Sequence, residues 1–283
     1  HELCAAGAVA FSDDGLPVVN SLLMRRALEY ARGTGCPVIA HCEDPDLSAG
    51  GAMNEGSNST RLGLSGIPNA AESVMVLRDI ALAALTGGKL HIAHVSTRQA
   101  VEAIRAAKAG GIAVTAEAAP HHFTLTDEAV CDYDPNTKMY PPLRTADDRA
   151  AIRQALADGT IDAIASDHAP HSSIEKQTVF DQAANGIIGL ETTLALSLKL
   201  VHDGVLSLPR LVALMTRNPA DILGVACGLQ TGMPADITII DPEIDHTVAA
   251  ASFKSKSRNT PFDGWELRGR ALATIVDGNI VFE

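Results

Sequence analysis

Short apolar runs that end abruptly in ionisable residues recur along this sequence, and most of them precede a helical pattern. The clearest run begins at Ile161 and continues through Ala165, before Asp167, His168 and His171. An apolar run of strand length suits a parallel sheet that is buried on both faces. In barrels of alternating strands and helices, active sites lie at the carboxyl ends of the strands. The pattern therefore predicts an α/β barrel with its chemistry at that edge, although one Asp-His pair alone can equally be a surface turn.

The composition narrows the possible functions of this 283-residue chain. Hydrophobic residues make up 46% of it, which is enough for a large core, and its formal net charge is −12. With no dense Lys/Arg run, nucleic acid and anionic membrane surfaces are excluded as expected partners. The five cysteines are odd in number and widely spread, as in a cytosolic protein with reduced thiols. No stretch reaches the roughly 18 apolar residues of a membrane span.

Five strand-and-helix units can be counted before residue 225, after which the sequence has the pattern of antiparallel strands. The predicted strands of these units are Ala6–Ser12, Val38–Ala40, Leu90–Val95, Ile112–Glu117 and Ile161–Ala165. Predicted helices follow at about 21–32, 70–85, 97–109, 146–157, 190–201 and 209–215, the third capped by Ser96 with Gln99. Residues 45–68 have no sustained period and are predicted to form a long functional or flexible loop. A closed barrel of this type needs eight strands.

The tail is predicted to form a small separate β unit. Residues 235–241 and 271–282 have the pattern of antiparallel strands, and the second stretch contains the turn signal Asp277-Gly278. We therefore divide the chain into a barrel portion, residues 1–225, and a β-rich appendage, residues 226–283.

Four predicted strand ends carry the residue types that bind divalent metals. They are Asp14 (or Asp13), His41, His94 and Asp167. Two imidazoles and two carboxylates at one edge of a barrel form a plausible ligand set for zinc, and two metals there would make a hydrolytic centre. A single histidine at a strand end is more often a hydrogen-bonded core residue, and an Asp-Asp-Gly sequence is commonly only a turn. The joint pattern favours the metal site, with His121 and His122 ranked below the four.

Across the whole chain, the order of the motifs resembles the class I bacterial dihydroorotases of the amidohydrolase superfamily. The segments that carry this resemblance are GAVAFSDDG, HCED, HIAHVS, PPLR, SDHAPH, GIIGLE, NPA, GMPADITIID and KSRNTPF. The resemblance implies a metal-dependent (β/α)8 barrel with a small β-sandwich. It also implies the reversible cyclisation of N-carbamoyl-L-aspartate to L-dihydroorotate in pyrimidine synthesis, with one or two Zn²⁺ ions per site. The resemblance is compatible with a homodimer or with a complex with aspartate transcarbamoylase, and the sequence does not distinguish between them.

The resemblance also implies a role for each matching residue. Asp14 would bridge the metals, His41 and His94 would bind the second metal, and Asp167 would bind the first and act as general base and acid. Substrate contacts would come from His171, from the backbone of Asn185 and Gly186, and from Tyr140.

Two features differ from the family pattern. Tyr140 stands where the family usually has Asn, and no His-x-His-x-Arg motif is present. The resemblance places that motif and three barrel strands ahead of His1, so we expect an N-terminal segment there.

Two other functions stay open on the sequence alone. One is a different cyclic-amide hydrolase, such as a dihydropyrimidinase or an allantoinase. These enzymes use a carboxylated lysine as the bridge, and the first predicted strand and its turn contain no lysine. The other is a catalytically silent relative that serves as a scaffold for aspartate transcarbamoylase.

Overall fold

The computed structural model describes every residue from His1 to Glu283 and contains two main sheets. One is a five-stranded parallel sheet in the order β1-β2-β5-β6-β7, and the other is a three-stranded antiparallel sheet in the order β10-β9-β8. The strands are β1 Phe11–Ser12, β2 Val38–Ala40, β3 Met53–Asn54, β4 Gly66–Ile67, β5 Leu90–Ile92, β6 Val114–Ala118, β7 Ala163–Ile164, β8 Ile237–Thr247, β9 Glu266–Val276 and β10 Asn279–Phe282.

Twelve α-helices surround and connect these strands. They are α1 Glu2–Ala5, α2 Ser21–Arg32, α3 Pro45–Ser48, α4 Ser57–Leu62, α5 Asn69–Thr86, α6 Arg98–Ala109, α7 Pro120–Thr124, α8 Ala146–Asp158, α9 Ser173–Lys176, α10 Thr193–His202, α11 Leu208–Met215 and α12 Arg217–Leu223. Three 3₁₀ turns lie at Asp127–Asp132, Pro135–Thr137 and Ala250–Ser252. None of the helices has both the length and the hydrophobicity that crossing a membrane requires.

The five predicted barrel strands are confirmed, and all of them run parallel. Neighbouring strands align so that Val38 pairs with Leu90, and Leu90 pairs with Val114. The main core lies between this sheet and its helices, where Met24, Leu28 and Ile104 are fully buried. Because the strands are parallel and aligned, their carboxyl ends meet at one edge.

Residues 45–68 are more ordered than the sequence predicts. They form α3, α4 and the short parallel pair β3-β4. The buried guanidinium of Arg144 binds this segment through the side-chain oxygen of Asn54, at 3.0 Å, and the carbonyl oxygen of Ile67, at 2.7 Å. Arg144 also donates to the Ser96 hydroxyl at 3.2 Å, so the segment is tied to the end of β5.

The predicted cap of α6 is wrong by one residue. Thr97, and not Ser96 with Gln99, caps the helix by accepting from the backbone N–H of Ala100. Ser96 instead donates its hydroxyl to the buried carboxylate of Glu72, which also accepts from the backbone of Ser96 and Thr97. The Glu72 carboxylate of α5 therefore occupies the Ser96 hydroxyl, and Thr97 caps α6 instead.

The tail forms a three-stranded meander whose strands are longer than predicted. Strand β8 extends to Thr247 and β9 begins at Glu266, while the turn predicted at Asp277-Gly278 connects β9 to β10. Both turn residues have positive φ angles, 47° and 78°, as a type I′ hairpin requires.

Helix α10 begins at Thr193, three residues after the predicted start.

A buried carboxyl on α5 makes the stability of the fold depend on pH. Burial raises the pKa of Asp79 to about 6, against the opposing effect of the Arg78 guanidinium. The folded pKa therefore exceeds the unfolded value of about 3.9, so the folded state binds the proton more tightly. The contribution of Asp79 to the free energy of unfolding thus falls as pH rises from about 4 to about 6.

We expect Asp79→Asn to remove this dependence, which amounts to up to about 3 kcal/mol. Urea unfolding of the complete protein at pH 4.5 and pH 7.5 should show a smaller loss of stability in the variant than in the wild type. The exposed Asp147→Asn is the matched control. Equal pH dependence in Asp79→Asn and wild type would contradict the prediction.

Candidate metal centre and active site

Three of the predicted metal ligands lie together at the carboxyl ends of neighbouring strands. Asp14 follows β1, His41 follows β2 and His94 follows β5. His41 Nδ1 lies 3.0 Å from His94 Nε2, and the Asp14 Oδ1 atom lies 3.4 Å and 3.3 Å from these two nitrogens. Ligand atoms bonded to zinc at 2.0–2.1 Å and tetrahedral angles are about 3.3 Å apart. The spacing of the three atoms therefore fits one ion.

The electrostatics of the three side chains favour positive charge at their centre. Hydrogen bonds from His41 and His94 hold the pKa of Asp14 well below its usual range. Burial lowers the pKa of His41, but hydrogen bonds to Asp14 and Glu43 outweigh it and raise the pKa to about 9. The pKa of His94 is also raised overall, since Asp14 and the charge of Asp167 outweigh burial. A site that stabilises protons on its imidazoles in this way also suits a divalent cation.

Asp167 lies near Asp14, His41 and His94, but its carboxylate is not one of the three closely spaced ligand atoms. The carboxylate charge of Asp167 influences His94, and its Oδ2 lies 3.6 Å from Nε2 of His121. His121 is fully buried, and burial lowers the pKa of His121 to about 4. A neutral imidazole therefore faces the Asp167 carboxylate. His121 thus lies beside a candidate ligand, although the sequence analysis ranked it below the four candidates. The His122 ring packs on that of His121, with centroids 4.3 Å apart, and its Nε2 lies 3.0 Å from the Pro141 carbonyl oxygen.

Backbone strain is concentrated at two of the candidate residues. Only four non-glycine residues have positive φ angles, and they include His94 at 34° and Asp167 at 47°. Left-handed backbone costs free energy in residues with a side chain and persists where the surroundings enforce it, frequently at active sites.

Comparison with known proteins identifies the family. The model of the amidohydrolase family matches residues 1–281. The chain belongs to the amidohydrolase family. It is 58% identical over 282 residues to the dihydroorotase of Desulforapulum autotrophicum, covering 100% of this chain and 66% of the relative. The dihydroorotase of Desulfotalea psychrophila is 61% identical over 274 residues, with 96% and 65% covered. The chain spans about two thirds of the length of these relatives.

Solved structures confirm the fold class of this amidohydrolase. An L-hydantoinase (dihydropyrimidinase) from Arthrobacter aurescens superposes with a TM-score of 0.89 at 30% identity, covering 100% of this chain and 66% of that one. A D-hydantoinase from a Thermus species gives 0.84 at 25% identity, with 100% and 65% covered. The fold is an α/β barrel of this family, five of whose parallel strands lie in this chain, with an antiparallel β-sheet appendage.

Glu43 is a candidate site residue of this amidohydrolase that the sequence analysis missed. It stands two residues after His41 in the HCED segment, and only that proximity could have indicated it. The buried Glu43 Oε2 atom lies 2.9 Å from Nε2 of His41. When Nε2–H donates to this carboxylate, the ring is oriented so that the other nitrogen, Nδ1, faces Asp14 and His94. Carboxylates that orient metal-binding histidines in this way are common.

We expect Glu43→Gln to weaken zinc binding by about 10–100-fold, the usual cost of losing such a partner. Chelator competition with the complete protein measures this affinity directly. Glu29→Gln, on the surface of α2, is the control. Unchanged zinc affinity in Glu43→Gln would show that Glu43 does not orient His41.

Tyr140 packs against the candidate metal site of this amidohydrolase. Its ring stacks on His41, with centroids 5.9 Å apart and an interplanar angle of 25°. Burial raises the pKa of Tyr140 to about 12, helped by the neighbouring Glu43 carboxylate. The phenol is thus a neutral group, positioned by Glu43 and His41.

The other predicted substrate contacts lie beyond β7. His171 Nε2 lies 2.7 Å from the Asn185 carbonyl oxygen, so these two residues are neighbours. Both backbone groups of Gly186 are engaged inside the protein: its N–H donates to the Lys138 carbonyl, and its own carbonyl accepts from Lys176 and Asn259. Gly186 therefore shapes this segment, because its polar groups already have protein partners.

Proposed function

We propose that these residues form part of the active site of a zinc-dependent dihydroorotase. The observation that carries the proposal is the identity of 56–61% to proteins named dihydroorotase along essentially the whole chain. The hydantoinase structures share the fold at 30% identity or less. The substrates would be N-carbamoyl-L-aspartate and L-dihydroorotate.

The residues that would hold the metal are Asp14, His41, His94 and Asp167. Three of them bring ligand atoms within 4.8 Å of one another, and nitrogen with carboxylate oxygen is a donor set that zinc accepts. Bound divalent cations lower the pKa of water from about 15.7 towards about 7, which supplies a nucleophile at neutral pH.

Asp167 is the proposed proton carrier. Its carboxylate takes a proton from the attacking water and delivers it to the amide nitrogen that departs from the ring carbonyl. Ring closure reverses these transfers. His171 and the backbone N–H of Asn185 are the proposed contacts to the substrate, while Tyr140 and Gly186 shape the pocket around it.

A hydantoinase or dihydropyrimidinase activity is the second candidate, favoured by the TM-score of 0.89. The first barrel strand and its turn, residues 6–15, contain no lysine that could serve as a carboxylated bridge, which supports the dihydroorotase. Assays of the complete protein with dihydroorotate, dihydrouracil and allantoin separate the candidates. We expect turnover of dihydroorotate at least ~100-fold faster than of the others. Preference for a neutral ring would overturn the proposal, and no turnover of any of them would favour the silent scaffold.

The wider organisation is part of the same proposal. Residues 1–225 would belong to the barrel and residues 226–283 to the β appendage of a cytoplasmic protein. A homodimer, or a complex with aspartate transcarbamoylase, would be its assembly. Size measurement of the complete protein with and without that enzyme tests both.

A further inference from the structure

Two buried lysines lie beside the segment that carries Asn185 and Gly186. Lys138 and Lys176 are each only 5% exposed. A buried ammonium group normally needs a carboxylate partner, because removing a charge from water is costly. Each of these lysines instead contacts backbone carbonyl oxygens.

All four contacted carbonyl groups belong to residues 181–186. Lys138 Nζ lies 2.8 Å from the carbonyl oxygens of Asp181 and Ala183. Lys176 Nζ lies 2.8 Å from the carbonyl oxygen of Ala184 and 3.1 Å from that of Gly186. Two charged donors, both of which precede the segment in sequence, therefore fix six consecutive residues. Hydrogen bonds from charged donors are stronger than those from neutral ones.

The same segment is coupled to His171. The Asn185 carbonyl lies at hydrogen-bond distance from the His171 imidazole, and the Gly186 N–H donates to the backbone carbonyl of Lys138 at 2.9 Å. Gly186 has a φ angle of 106°, and a Cβ there would lie 2.5 Å from that of Ala169. A side chain at position 186 would therefore clash with the loop after β7, so glycine is required there.

Lys176 lies close to other basic side chains, in a chain whose formal net charge is −12. Lys176 and His171 also line a cleft of about 500 Å³ that includes Lys256 and Arg258 and no apolar residue. Asp134 is the one carboxylate among the residues that line this cleft, so the cationic side chains outnumber it and favour an anion there.

We propose that Lys138 and Lys176 are positioning residues that hold segment 181–186 against His171 and favour an anionic substrate there. This inference rests on the proposed function for the identity of that substrate. Dihydroorotate and carbamoyl aspartate carry carboxylates, whereas dihydrouracil and hydantoin rings are neutral. If the two lysines only stabilised the fold, their loss would lower the stability of the whole protein. It would not selectively loosen segment 181–186 or weaken the binding of anions.

Hydrogen exchange of the complete protein tests the positioning directly. The protected amides of Gln182, Ala183, Ala184 and Gly186 donate to carbonyl groups around the segment. In Lys138→Met and Lys176→Met we expect these amides to exchange about 10–100-fold faster, the range for a lost hydrogen bond to a charged group. Lys138→Arg and Lys176→Arg should retain most of the protection, because Arg keeps the charge and the donors.

Lys89→Met is the matched control, since Lys89 is exposed and donates to the Gly35 carbonyl near the opposite end of the sheet. Calorimetric titration with dihydroorotate should show at least tenfold weaker binding in both Met variants and unchanged binding in the control. Unchanged exchange in the Met variants, or Arg variants no better than Met, would overturn the inference. If wild type binds no dihydroorotate, the proposed function fails, and the exchange experiment still decides the positioning role.

Discussion

Asp167→Asn should lower the kcat of dihydroorotate hydrolysis by at least ~10²-fold, the usual effect of losing a general acid or base. Asn has nearly the shape of Asp but cannot carry the proton. The backbone of Asp167 is left-handed, with φ at 47°, and Asn tolerates this conformation better than most residues. The substitution therefore removes the proton carrier with little effect on the backbone. Steady-state kinetics with the complete protein measure the change.

Asp162→Asn is the matched control for this experiment. Asp162 lies just before the other end of β7 and pairs with Lys108, its Oδ2 2.6 Å from Nζ. It should keep near-normal turnover even if the fold is somewhat less stable. Near-normal turnover in Asp167→Asn would remove Asp167 from the proposed chemistry.

His94→Asn should weaken zinc binding by more than the ~10–100-fold expected for an outer-shell partner, because it removes a ligand itself. The backbone of His94 has φ at 34°, another left-handed position that suits Asn. Loss of the imidazole leaves His41 and Asp14 with one donor fewer. Zinc content after dialysis, with chelator competition, gives the measurement.

His91→Asn, on β5 just before His94, is the control. His91 is equally buried, but its ring nitrogens contact Thr115 at 2.8 Å and Glu117 at 3.1 Å, away from the three-donor group. It should therefore keep its zinc. Equal loss of zinc in both variants would mean that general disruption of β5, and not a missing ligand, explains the effect.

The candidate ligands could be predicted from the sequence because parallel strands bring their carboxyl ends together. Asp14, His41 and His94 each follow an apolar run, so local pattern and sheet geometry were enough to group them. Glu43 was not predicted, since a carboxylate near a histidine in sequence does not reveal which ring nitrogen it contacts. Its role depends on a single side-chain distance, 2.9 Å, that only the structure provides.

Contacts between distant parts of the chain explain the other differences. Arg144 orders residues 45–68 through Asn54, 90 positions away in sequence. Glu72 takes the hydroxyl of Ser96 and so moves the cap of α6 to Thr97. Lys138 and Lys176 contact carbonyl groups, which every residue possesses, so no residue type in segment 181–186 indicates these contacts. Local patterns predict elements and their ends, but not such partners.

Diffraction at the zinc absorption edge, from crystals of the complete protein grown with zinc, tests the metal centre most directly. We predict an anomalous peak for a zinc ion within bonding distance of the Asp14 carboxylate, Nδ1 of His41 and Nε2 of His94. Zinc bound elsewhere, with these three side chains free of any ion, would contradict the proposed hydrolytic site.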